Sequence, residues 1–344
     1  MTKIQINMDT KIGINGFGRI GRLILRAVLQ ENYSSTKILA INSPADPQTN
    51  AHMFKYDSTY GVFPGSVTWD EDSIYVDGTQ IRCLSFEQPH DIHWSDIGVE
   101  IVMECTGKFT SHSDASGHLI GGAKKVIISA PGKKEDVTIV MGVNQNKYDP
   151  LRHHIISNAS CTTNCAAPLM KILHESFGIE HGLMTTIHSY TNDQQVLDKR
   201  HKDPRRARAA GTNIIPTTTG AAKAVGIVIP ELSGRIDGMA FRVPTPTVSV
   251  TDFVATLNSS VSVNSINDAY IAASQGDLKG ILQLSMEPLV SSDFRGSTIS
   301  CVIDGLSTLA ISENMVKVIG WYDNEWGYSC RTIELANFIT SKGL

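Results

Sequence analysis

Residues 157–168 read SNASCTTNCAAP, a stretch that places Cys161 where loop residues give way to a helix. A residue at a helix start lies near unpaired backbone N–H groups and the positive end of the helix dipole. That field favours a thiolate over a thiol, and the thiolate is the nucleophilic form. Twenty-seven positions on, Thr-Thr-Ile-His closes a predicted strand at His188. A cysteine nucleophile with a base at hand suggests covalent catalysis. A lone histidine at a strand end is otherwise an ordinary satisfied polar residue, so the company of Cys161 carries the catalytic reading.

A second chemical signal lies near the start. Gly16-Phe17-Gly18-Arg19-Ile20-Gly21 is a G-x-G-x-x-G run that follows a predicted strand over 11–15 and opens a helix over 19–30. That is the context of a dinucleotide phosphate-binding turn. Gly16 would make the tight turn, and Gly18 would let the backbone approach a pyrophosphate held at the helix N-terminus. The second strand, 37–42, ends Asn42-Ser43-Pro44. No carboxylate stands there for a ribose 2′-OH, and Asp46 lies beyond the proline. A serine hydroxyl can donate to a 2′-phosphate that a carboxylate would repel. Ser43 therefore hints at NADP rather than NAD, or tolerates either.

The elements that must hold these residues follow two textures. The first half alternates short apolar strands (11–15, 37–42, 99–105, 125–129, 138–143) with helical spacing, the pattern of a doubly wound, mostly parallel sheet. After Pro168 a helix continues over 170–177. Longer strands follow over 183–188, 239–243, 247–257 and 315–321, then a terminal helix over 331–341. These suggest an α+β domain with a mixed or antiparallel sheet and helices on one face. The expected organisation is a dinucleotide-binding domain over 1–160, a catalytic domain over 161–327, and a helix over 328–344 returning to the first.

The chain has 344 residues, 41% hydrophobic and 19% charged, with net charge −4. Such a balance fits a soluble two-domain protein and gives no global basic field for nucleic acid or membrane. The apolar runs are too short to span a bilayer, and the first residues lack a secretory core, so the cytoplasm is the default. Six scattered cysteines do not form a disulfide framework. Cys161 and Cys165 are four apart, but no second Cys/His pair stands near, so a core-facing Cys165 is preferred to a metal site and no metal is predicted.

With SNASCTTNC, TTIHSYTNDQ, PTTTGAAKA, GMAFRVPTP and WYDNEWGYS in view, the chain from residue 11 onward resembles the phosphorylating glyceraldehyde-3-phosphate dehydrogenases. The resemblance implies a Rossmann domain plus a catalytic domain, a homotetramer, and two substrates, D-glyceraldehyde 3-phosphate and inorganic phosphate. Cys161 would attack the aldehyde and His188 would take the proton. Hydride would pass to the nicotinamide, and phosphate would release 1,3-bisphosphoglycerate from the thioester. By motif match, Thr191 and Arg242 would bind the substrate phosphate. Ser160, Thr162, Arg208, Thr219 and Gly220 would bind the attacking phosphate. Arg242 as a structural ion pair and Thr219 as a turn residue are the plain alternatives. For the cofactor the resemblance implies Gly16, Phe17, Gly18, Arg19, Ile20, Asn42, Ser43, Thr106, Gly107 and Ser129. Asn324 would hold the carboxamide, with Tyr328 near the nicotinamide.

One departure points the same way as Ser43. Strictly NAD-dependent relatives carry Leu-Pro where this chain has Lys199 and Arg200, in a loop that reaches a neighbouring subunit's adenosine. Two cations there suit a 2′-phosphate, so NADP is favoured, with NAD the alternative. The same loop holds six Lys/Arg from Lys199 to Arg208, which raises RNA binding as a reading of another class. No aromatic residues are interleaved for base stacking, so nucleic acid is not expected as the main partner. The enzyme rival is erythrose-4-phosphate dehydrogenase, which Tyr190-Thr191 and ISAP at 128–131 disfavour. A non-phosphorylating dehydrogenase would leave the second phosphate set without purpose.

Overall fold

The protein is described here by a computed structural model covering residues 9–31 and 33–344. The N-terminal extension falls almost wholly outside these residues. The chain divides into two compact units. One comprises the chain up to Ile139 with Asn146–Ala159 and Ser329–Leu344, and the other Val140–Gln145 with Ser160–Tyr328.

The first unit is built on a nine-stranded sheet. Thr10–Asn15 lies centrally, parallel to Thr36–Asn42 on one side and to Ile101–Glu104 on the other. Lys125–Ile128 and Ile155–Ser157 extend the parallel run. Thr79–Leu84 joins Thr36–Asn42 in parallel, and Ser73–Val76 and Val67–Trp69 complete the far edge antiparallel. Strands buried on both faces need continuous apolar runs, and Ile12, Ile14, Ile101, Val102, Val126 and Ile127 are all fully buried. Gly13 is required for packing, because a Cβ there would stand 2.4 Å from the Trp94 ring. The last helix, Trp326–Lys342, returns to this unit through Tyr33–Glu334 (3.0 Å) and Thr36–Asn337 (2.9 Å) bonds.

The second unit carries an eight-stranded mixed sheet. Ile179–Ser189 runs parallel to Ile236–Val243 and antiparallel to Ser249–Leu257. The strand Met315–Tyr322 pairs antiparallel with Ser249–Leu257. Helix Cys161–Phe177 packs on this sheet and continues through Pro168. Along Ser249–Leu257 the burial alternates, with Ser249, Thr251, Phe253, Ala255 and Leu257 inward. The inward face thus includes two hydroxyls, which is why the hydrophobic alternation is loose in the sequence.

Two expectations need correction. The strand expected over 138–143 stops at Thr138. Beyond it, Val140 N–H donates to Asn144 Oδ1 (2.8 Å) and Val143 N–H to Val140 O (3.0 Å), closing a turn that belongs to the second unit. The strand expected over 183–188 begins at Ile179, because Gly178, at φ +69°, ends the preceding helix abruptly. Among the described residues no helix is long and apolar enough to cross a membrane.

Candidate active site

In the first unit the glycine turn is shaped by sterics. Gly16 has φ +95°, and a Cβ there would lie 2.7 Å from Thr106 N. A Cβ on Gly21 would stand 2.3 Å from Gly16 O, so the helix Arg19–Gln30 seats tightly on the turn. A Cβ on Gly18 would meet nothing within 4 Å, which leaves an open approach over the helix start. That helix has no side-chain cap and no acidic residue in its first turn, so its leading N–H groups face an anion without competition. These features fit a dinucleotide pyrophosphate. The Arg19 side chain is held by Asp57 (2.6 Å), leaving the backbone of Arg19 and Ile20 for the ligand.

The strand ends below the turn are tied by side chains of which the sequence reading singles out Asn42 and Thr106 but not Asn15, Glu104 or His118. Asn15 Nδ2 donates to Glu104 Oε2 (2.5 Å), and Asn42 Nδ2 donates to Asn15 Oδ1 (2.7 Å) and Phe86 O (2.9 Å). Trp94 Nε1–H donates to His118 Nδ1 (3.0 Å), which leaves the ring proton on Nε2 to meet Glu104 Oε2 (3.0 Å). Glu104 Oε1 takes Thr106 N (2.8 Å) and the Thr106 hydroxyl. Asn42 and the Thr106 hydroxyl are therefore committed to this buried network. They shape the cofactor crevice without having a side-chain donor to offer it. The one signal in the sequence is a polar residue closing each of three apolar strands. Ser129 Oγ likewise donates to Glu104 O (3.0 Å), and Gly107 turns at φ +70°. Ser43 is buried and its Oγ accepts Ala45 N–H (3.2 Å), so its own hydrogen remains to give. Asp46 caps the next helix by accepting Thr49 N–H (2.6 Å) and is not placed as a ribose acceptor.

In the second unit Cys161 opens its helix as the sequence indicates, with Ser160 as N-cap, its Oγ accepting Thr163 N–H (3.0 Å). Cys161 Sγ lies 3.5 Å from His188 Nε2. His188 Nδ1 is 2.7 Å from Ser189 O; in the tautomer that donates to this carbonyl, Nε2 faces the sulfur as acceptor. Arg242 Nη1 donates to the same carbonyl (3.0 Å) and stands 2.7 Å from Nδ1. A donor beside a protonated nitrogen is a repulsive contact. Burial, then the Arg242 charge, push His188 down to about 3, so it stays a neutral acceptor through the working range.

Burial pushes the Cys161 thiol up, against the lowering effect of Arg242 and of the Thr162 hydroxyl and N–H. The helix-start N–H groups act in the expected direction and are outweighed by desolvation.

Tyr322, not foreseen, organises this centre. Its hydroxyl lies 2.9 Å from both Thr162 Oγ1 and Thr186 Oγ1, and its ring stands edge-on to His188 at 6.1 Å. Thr162 is thus already engaged through its hydroxyl. Asn324 Oδ1 accepts from Ser189 Oγ (2.8 Å) and Ser249 Oγ (3.0 Å).

The anion-binding residues divide. Thr191 begins a turn closed by Gln194 N–H to Thr191 O (2.9 Å), and Gln194 Oε1 takes Thr191 N–H (3.3 Å). Thr219 Oγ1 accepts Ala221 N–H (3.2 Å), and Gly220 precedes helix Ala221–Val228 without a side-chain cap. The nearby arginine is not Arg208. Arg208 pairs with Asp198 (2.8 Å), both about 60% exposed. Arg206, with 18% of its side chain exposed, pairs with Asp193 and reaches Thr218 O (3.5 Å), and its charge is felt at His188 and Arg242. Asp193 selects Arg206 for the inward role and Asp198 draws Arg208 out. Lys199 and Arg200 are exposed and pair with no carboxylate among the described residues. Cys165 is buried, and no His/Cys/Asp/Glu group among the described residues could hold a metal.

A dinucleotide-binding sheet and a cysteine–imidazole pair within an anion-lined centre define a nicotinamide-dependent aldehyde oxidoreductase. The comparisons agree. The family model described as the glyceraldehyde 3-phosphate dehydrogenase NAD binding domain matches residues 10–112, and that of the C-terminal domain matches residues 160–324. A glyceraldehyde-3-phosphate dehydrogenase of Geobacillus stearothermophilus is 58% identical over 98% of this chain and all of its own length. One from Bacillus cereus is 56% identical over 97% of this chain and all of its own length. One from Streptomyces coelicolor is 55% identical, covering 96% of this chain and 99% of the relative. The chain belongs to the phosphorylating glyceraldehyde-3-phosphate dehydrogenase family.

Proposed function

We propose that the protein converts D-glyceraldehyde 3-phosphate and inorganic phosphate to 1,3-bisphosphoglycerate through a thioester on Cys161. The observation that carries this reading is the 3.5 Å approach of Cys161 Sγ to His188 Nε2. His188 takes the thiol proton as sulfur bonds to the aldehyde carbon, giving a thiohemiacetal. The imidazolium returns that proton to the former carbonyl oxygen, and the ring, neutral again, takes it back as hydride leaves that carbon. The turn Gly16–Gly21 would hold the pyrophosphate of a nicotinamide cofactor and Asn324 its carboxamide, and the cofactor would supply the hydride acceptor. A phosphate oxygen then attacks the thioester carbonyl and the Cys161 sulfur departs. Thiol chemistry suits this sequence because a thioester retains enough of the oxidation energy to acylate phosphate. The N–H at the start of helix Cys161–Phe177 is placed to stabilise the oxyanion.

Thr191, Arg242 and Arg206 suit the sugar phosphate, and Thr219 and Gly220 the attacking phosphate. Hydroxyls, N–H groups and guanidinium forks are good phosphate ligands. The test is phosphate-dependent dinucleotide reduction with glyceraldehyde 3-phosphate. Phosphate-independent turnover, or a higher kcat/KM with erythrose 4-phosphate, would overturn it.

NADP is the favoured cofactor. Ser43 keeps a hydroxyl hydrogen to donate, Asp46 is committed as a helix cap, and Lys199 and Arg200 are uncompensated cations. The assembly is a homotetramer. The sheet face away from the helices exposes Leu183 (67%), Met239 (38%) and Met315 (41%), and a second copy would cover it. Of the loop cations, Arg206 pairs with Asp193 and Asp203 and Arg208 with Asp198, and no aromatic residue is interleaved for base stacking, which disfavours RNA as the main partner.

A further inference from the structure

We infer that Ser189 and Ser249 are positioning residues that fix which way the Asn324 amide points, and so align the nicotinamide with the Cys161–His188 pair. This rests on the reading that Asn324 faces the nicotinamide carboxamide.

The argument is a count of hydrogens. Asn324 Oδ1 accepts from Ser189 Oγ (2.8 Å) and from Ser249 Oγ (3.0 Å). Ser249 Oγ in turn accepts Ser189 N–H (3.1 Å). Ser189 is 0% exposed and Ser249 1%. An amide has two ends of nearly equal shape, and only its hydrogen bonds decide between them. Turning Asn324 end for end would set its NH2 against two buried hydroxyls that have only each other as a further partner, at 3.4 Å, and would strand the hydrogen of at least one. Oδ1 is therefore held inward and Nδ2 outward as a donor. Among the described residues no acceptor meets Nδ2. A carboxamide oxygen is the acceptor it suits.

Ser189 also couples this clamp to the chemistry. Its carbonyl accepts His188 Nδ1–H (2.7 Å) and Arg242 Nη1–H (3.0 Å), while its hydroxyl holds Asn324. One residue therefore sets the base through its backbone and the cofactor amide through its side chain. The backbone around Ser249 is strained in support. Val248, immediately before it, sits at φ +67°, a conformation a β-branched residue adopts only under constraint. Val248 is locked there by packing against Phe294 and Val302.

Alanine at either serine removes the hydroxyl and keeps the carbonyl, which separates the two roles. The experiment compares wild type, Ser189→Ala, Ser249→Ala, the double variant and Asn324→Ala. It reads KM for NAD⁺ and for NADP⁺, the isotope effect with C1-deuterated glyceraldehyde 3-phosphate, and the pH profile of Cys161 alkylation by iodoacetamide without cofactor. In the double variant KM should rise about tenfold for both dinucleotides, as expected for loss of one oriented hydrogen bond. The isotope effect should grow, and the alkylation profile should match wild type. The same rise should appear with 3-acetylpyridine adenine dinucleotide, which keeps the carbonyl oxygen and lacks the NH2. A displaced alkylation profile in the double variant would make the serines merely structural and overturn the inference. So would unchanged KM and isotope effect where Asn324→Ala alters both. If Asn324→Ala also changes nothing, it is the placement of Asn324 at the nicotinamide that fails.

Discussion

The two units build their sites from different materials. In the first, the ligand-facing groups are backbone: a left-handed glycine, an open Gly18 and the uncapped N–H groups of a helix. Its side chains, Asn15, Asn42, Glu104 and His118, are spent on one another. In the second, buried side chains face the reaction, and they are charged or titratable. Arg242 and burial act together on His188, and against each other on Cys161. A backbone site is indifferent to pH and fragile to added bulk. A side-chain site is the reverse. That contrast says where each kind of substitution should act.

The largest effect is expected where the second unit is touched. Cys161→Ala should abolish phosphate-dependent dinucleotide reduction, while equilibrium dialysis finds cofactor binding retained. His188→Asn should slow acylation by roughly 10²–10⁴-fold, as loss of a general base does. A stopped-flow trace of the first turnover measures it. The complement is Gly18→Val in the first unit, which should cost dinucleotide affinity and leave Cys161 alkylation unchanged.

A finer division lies within the anion-binding loop. Arg206→Ala should raise KM for sugar phosphate about tenfold or more, since a charge-assisted bond near a buried centre is removed. Arg208→Ala should change it little, because its pair with Asp198 is exposed. Initial rates over a substrate series separate the two. Lys199→Leu with Arg200→Pro should weaken NADP⁺ about tenfold and leave NAD⁺ nearly unchanged. An unaltered ratio would remove the loop from the account of cofactor choice.

The smallest effect concerns pH. Because the folded His188 pKa lies below its free value, the contribution to stability is full above about pH 6.5. It is lost as pH falls toward about 3. His188→Asn should therefore flatten the fall in melting temperature between pH 6 and 4.

The same contrast explains what could be read from the sequence. The glycine turn is local, so spacing alone reveals it. The helix Cys161–Phe177 and its cap are also local, and motifs placed His188 opposite them. The choice between Arg206 and Arg208 is not legible in sequence, because both lie in an irregular loop with no period to say which faces inward. Only the positions of Asp193 and Asp198 decide it. Tyr322 and the Glu104–His118 pair are invisible for a related reason, since strand pairing sets Glu104 beside Asn15 and helices packed on the sheets bring His118 and Thr162 to their partners. The helix dipole that favours a thiolate at Cys161 is legible in sequence, and the desolvation that opposes it is not.

The central claim is a covalent intermediate on Cys161. The measurement is to mix enzyme, glyceraldehyde 3-phosphate and oxidised dinucleotide without phosphate, quench, and map the modified peptide by mass spectrometry. The account predicts one dinucleotide reduced per site in a burst and an acyl group on Cys161 that added phosphate removes. No adduct, or an adduct on another cysteine, would contradict it.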